Sequence, residues 1–123
     1  MGVKFIRIAV VYLVIGAVVG LGMGMSQQFT LAPVHAHLLL LGWASMALAG
    51  LIYHWYPAAA ESRLSRAHFW LHNLALPVFM VSLGLLLTGT ETAGPFVAAA
   101  ATAVLLGLVL FAANVLRHVK ATP

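Results

Sequence analysis

Residues 34–56 run Val34-His35-Ala36-His37-Leu38-Leu39-Leu40-Leu41-Gly42-Trp43, then on through Ala49-Gly50-Leu51-Ile52-Tyr53-His54-Trp55-Tyr56, and they decide the class of the chain. The stretch holds no Asp, Glu, Lys or Arg. At 1.5 Å per residue a helix of this length crosses the roughly 30 Å hydrocarbon core of a bilayer. A strand reading fails, because strands are far shorter than this alanine- and leucine-rich run. Three runs of the same kind accompany it, at residues 5–25, 68–88 and 95–116. The breaks between them, at residues 26–33, 57–66 and 89–95, carry Ser, Gln, Gly and Pro, which is turn chemistry. Pro33 and Pro95 stand at helix starts, where the missing N–H has no intrahelical partner in any case. The expectation is an all-α integral membrane protein, a single domain over residues 1–123 with four transmembrane helices.

Composition agrees. Of 123 residues, 63% are hydrophobic and 7% charged, against about 25% charged in soluble domains. The chain has no cysteine, which excludes disulfides, thiolate-held iron–sulfur clusters, covalent c-type heme and thiolate zinc sites. The net charge of +4 does not point to nucleic acid, because the six basic residues form no patch. They fall instead in three places: Lys4 and Arg7, Arg63 and Arg66, Arg117 and Lys120. In a four-helix topology all three lie on one side, which predicts that both termini are cytoplasmic in a multi-pass protein of a bacterial inner membrane. Tyr53, Trp55, Tyr56 and Trp70 lie at that level, as an aromatic belt does. Residues 22–28 offer no convincing small-x-small cleavage site and the apolar run before them is long, so the first helix reads as uncleaved. Gly16, Gly20 and Gly24 recur every four residues and permit a close helix approach. Packing within one chain is the preferred use of that row, over a dimerisation face.

Six histidines make the sequence informative, since ionisable groups within a bilayer are costly and mark functional sites. His35 and His37 lie at the outer start of the second helix. Two residues apart, their side chains diverge by roughly 200° and cannot chelate one ion from one face. Each can meet a different neighbour at nearly the same depth, and two axial imidazoles on opposite faces of a porphyrin call for that kind of supply. The competing reading is an interfacial histidine hydrogen-bonded to water. His68 and His72, four apart, share a face and could bind one metal, but no carboxylate is placed to complete such a site. His68 reads as a helix-start, interfacial residue. His72, a turn deeper, reads either as a ligand or as a packed polar residue; Pro77 frees the carbonyl of Asn73 nearby, so His72 and Asn73 are expected to share a small local polar network. His54 belongs to the aromatic belt and His118 to a solvated basic tail. Met23 and Met25 near the His-x-His offer soft thioethers that, with imidazoles, suit copper(I), although methionine is also a common gap-filler.

The second run, from Pro33 through Tyr56-Pro57, resembles the second transmembrane helix of subunit I in heme–copper oxidases, especially nitric oxide reductases and cbb-type cytochrome oxidases. His68-Phe69-Trp70-Leu71-His72-Asn73 with Pro77 is similar to the start of the third helix in that family. The likeness covers about half the chain. It implies that the outer histidine is an axial ligand of a low-spin heme. Family catalytic subunits have about twelve helices, arranged as three pseudo-equivalent four-helix units, so a four-helix chain lacks the copper ligands and the high-spin heme ligand. The helix equivalent to the second in another unit carries a His-x-His that faces two hemes.

The resemblance therefore implies a stand-alone third of such a subunit. The expected function is electron transfer by bis-histidine heme b, with His35 of one protomer and His37 of the next as axial ligands and His72 as a further heme-binding candidate. A homotrimer is favoured over a dimer, and no catalytic residues are assigned. Quinol or a periplasmic electron carrier would be the redox partner. The alternatives are a copper-handling protein using Met23, Met25, His35 and His37, and a cofactor-free assembly subunit of a respiratory complex.

Overall fold

A computed structural model describes residues 1–122. Four long helices account for most of it: α1 (Gly2–Ser26), α2 (Ala32–Trp55), α3 (Arg63–Leu87) and α4 (Gly94–His118). Each of the four spans is long and apolar enough to cross a membrane, and no strand is present among the described residues. α1 stops where Gln27 turns left-handed, at φ 54°. Pro33 and Pro95 sit in the first turns of α2 and α4. α3 starts five residues earlier than the hydropathy run, because the Ser62 side chain caps it by accepting from the Ser65 N–H at 3.1 Å. Arg63 and Arg66 are therefore in the first turns of α3 and not in a loop.

The chain packs as two helical hairpins. In the first, α1 and α2 approach closely because glycines face the partner: a Cβ on Gly42 would lie 2.5 Å from the Tyr12 ring, and one on Gly2 2.5 Å from the Gly50 carbonyl. Gly16 and Gly20 likewise meet Leu39 and His35 of the same chain, whereas Gly24 faces open space. In the second hairpin α3 lies along α4, with Gly107 against the His72 backbone. The two hairpins meet around Phe5, Tyr53, His68 and Phe111, at the end of the bundle that carries the basic residues.

The distribution of polarity is inverted relative to a water-soluble bundle. Val14, Val18, Leu74, Val81 and Leu105 are each about 60% exposed, while His68, His72, Ser65 and Asn114 are enclosed. A surface of this kind suits a lipid environment and fits a multi-pass membrane protein.

α2 is not uniform. Residues Leu38–Ala44 form a π-helical segment, in which the Ser45 N–H reaches back to the Leu40 carbonyl. The buried positions reflect it. They fall every four residues at Val34, Leu38, Gly42 and Met46, and then return to α spacing at Ala49, Gly50 and Tyr53. In an unbroken α-helix a step of four drifts by about 40° each time; the wider π turn takes up that drift.

Candidate functional site

The first turns of α2 carry His35 and His37, and their rings leave the helix in different directions, as positions two apart must. His35 turns toward α1, where its Nδ1 donates to the Gly16 carbonyl at 2.8 Å. A carbonyl only accepts, so Nδ1 is the donor, and in the neutral ring the lone pair is on Nε2. Gly20 makes room for the ring: a Cβ there would lie 2.6 Å from His35 Cε1. His37 turns toward α3, edge-on to the Phe79 ring at 5.2 Å. Its Nδ1 donates to the Pro33 carbonyl, one turn back, at 2.6 Å. In the neutral ring of His37 the lone pair is likewise on Nε2. Both side chains are half-buried.

A second group of polar side chains lies at the basic end. His68 is 1% exposed and stacks between Phe5 and Phe111, each 4.9 Å away. The Tyr53 hydroxyl donates to His68 Nδ1 at 2.9 Å and accepts from Asn114 Nδ2 at 3.4 Å. Asn114 also donates to the Ala59 carbonyl at 3.0 Å, and its Oδ1 accepts from Ser62 Oγ at 2.9 Å and His118 Nδ1 at 2.7 Å. His72 is fully enclosed. Its Nε2 donates to the Leu41 carbonyl in the π segment at 2.8 Å, and its Nδ1 has no partner.

Several sequence expectations need correction. His68 is not interfacial but central to the contact between the hairpins, because the capped start of α3 carries it one turn into the bundle. Tyr53 is 2% exposed and belongs to that core, unlike Trp55, Tyr56 and Trp70, which are exposed. His54 stands beside Trp55, exposed. His118 is not a free tail residue, since α4 runs through it and Asn114 binds it. Asn73 does not join His72 in a network; its Nδ2 bonds back to the Phe69 carbonyl at 2.8 Å.

Of the copper candidates, Met23 is 9% exposed and Met25 79%, so the two thioethers leave α1 on different sides. Among the described residues no three His, Asp or Glu side chains converge on one point. Sequence reading did not single out Asn114 as the hub at the basic end. Its signal was an amide near the end of an apolar run, where a polar group needs partners. No protein-family model matches the chain, and no curated protein or solved structure does either.

Proposed function

We propose that the chain is a heme b protein of a bacterial inner membrane that carries electrons, built like one third of the catalytic subunit of heme–copper oxidases. The observation that carries this reading is the state of two imidazoles. Each Nδ1–H is held by a main-chain carbonyl of its own chain, Gly16 for His35 and Pro33 for His37, and each Nε2 is free. A hydrogen bond on the far nitrogen is how metal-ligating histidines are oriented and made more basic, so these residues fit an iron porphyrin.

Because the rings diverge, one chain offers two half-sites. In a closed ring of three, each interface joins His35 of one protomer to His37 of the next, and cyclic closure prevents open-ended growth. A dimer holding heme between protomers is the smaller form of the same scheme. When bound, heme b supplies a one-electron iron couple. The residues of the chain bind it, bury it and fix its orientation. Iron held by both imidazoles would have no open coordination position, which favours an electron carrier over an oxidase. With the basic residues cytoplasmic under the positive-inside rule, His35 and His37 lie at the periplasmic level, within reach of quinol or a periplasmic electron carrier.

The test is a dithionite-reduced minus oxidised spectrum of the purified protein, with a pyridine extract to type the heme and a mass measurement in detergent. Sharp bis-histidine bands, one heme b per chain and a trimeric mass are expected, with the bands lost in His35→Ala and in His37→Ala. A colourless protein, or heme retained in both variants, overturns the reading. A heme-loaded monomer removes the shared-ligand scheme.

A further inference from the structure

We propose that His72 is a positioning residue for His35 and His37: by donating to the Leu41 carbonyl it keeps residues Leu38–Ala44 π-helical and so sets the direction in which the two imidazoles are presented. The inference takes the role of those imidazoles from the heme reading, but its geometry stands apart from it. In an α-helix the Ser45 N–H donates to the Leu41 carbonyl. Here that N–H goes to Leu40, and the Leu41 carbonyl accepts from His72 Nε2 on the neighbouring helix at 2.8 Å.

The His72 ring makes one hydrogen bond only, since Nδ1 is buried without a partner. A leucine at this enclosed position would remove the unpaired Nδ1, but it would take the donor away from the Leu41 carbonyl. What histidine adds there is the Nε2–H aimed at α2. Without it the Leu41 carbonyl regains a donor by returning to α pairing with Ser45. Loss of the wide turn then rotates the start of α2 by about 100° relative to its Tyr53 end. That rotation takes His35 away from the Gly16 carbonyl and His37 away from Phe79. π segments recur at functional sites for this reason: they re-aim side chains within one continuous helix.

The chain has no cysteine, so a spin-label pair reads the geometry cleanly. Ala36→Cys with Leu48→Cys places labels on exposed positions either side of the π segment. The interlabel distance is measured in the full-length protein as purified, with wild-type His72, His72→Gln and His72→Leu. Glutamine keeps an N–H donor and is expected to match wild type in distance and in heme content. Leucine is expected to displace the distance and weaken heme binding about 10-fold. A wild-type distance in His72→Leu, or a displacement in His72→Gln as large as in His72→Leu, overturns the proposal. If His72→Leu does not fold, the glutamine variant decides alone: a wild-type distance supports the proposal and a displaced one overturns it. Absence of heme from wild-type protein counts against the heme reading and leaves the label distances to decide this one.

Discussion

A methyl group added at Gly20 would meet the His35 ring at 2.6 Å, whereas one added at Gly24, a turn further on, meets nothing within 4 Å. The two glycines look alike in sequence and make a matched pair of tests. Gly20→Ala pushes the imidazole out of the α1–α2 groove and off the Gly16 carbonyl; under the proposed heme function, heme affinity is then expected to fall about 10-fold. Gly24→Ala is expected to be silent in a heme titration. At the other end of the bundle, Asn114 holds groups from three parts of the chain: Tyr53, the Ala59–Ser62 turn and His118. Asn114→Leu strands those partners in a dry core and is expected to destabilise the protein by about 1–2 kcal/mol, read by denaturant unfolding in detergent. Heme content should be unchanged by that substitution, since Asn114 lies at the end away from His35.

At the scale of the element, the instructive helix is α2. Its existence and the divergence of its two histidines were legible, because a long uncharged apolar run and a two-residue spacing leave little choice. Its π segment was not legible. Leucine and alanine suit both pairings, and the order Val34, Leu38, Gly42, Met46 emerges only when buried apolar positions can be told from lipid-facing ones. Residues 63–67 illustrate a second limit: a polar first turn lowers hydropathy, so the apolar run starts only at His68, and hydropathy alone misplaces His68 itself. Tyr53 and Asn114 depend on partners 15 and 61 positions away, which no local pattern carries. If the π segment accommodates one extra residue, deleting Leu40 from it lets α2 become α-helical throughout with both ends still correctly faced. Deleting Leu48 from the α-helical part rotates His35 and His37 by about 100°. The expectation is that the first deletion retains heme and the second loses it, measured by absorbance per chain.

For the molecule as a whole, the topology proposal is open to direct labelling, because every thiol is one deliberately introduced. With a membrane-impermeant maleimide on intact cells, Gln28→Cys is expected to react and Glu61→Cys, also exposed, to react only after permeabilisation; the opposite pattern would put the His-x-His end in the cytoplasm. The two hairpins are joined through side chains and not through a continuous backbone ladder, and the His72–Leu41 bond is one of those joints. Its proton is shut away from solvent, so deuterium can replace it only when α3 parts from α2. A single imidazole N–H signal, followed after transfer into heavy water, therefore times how often the halves of this protein come apart, and the fully wet mobility of its loops contributes nothing to that clock.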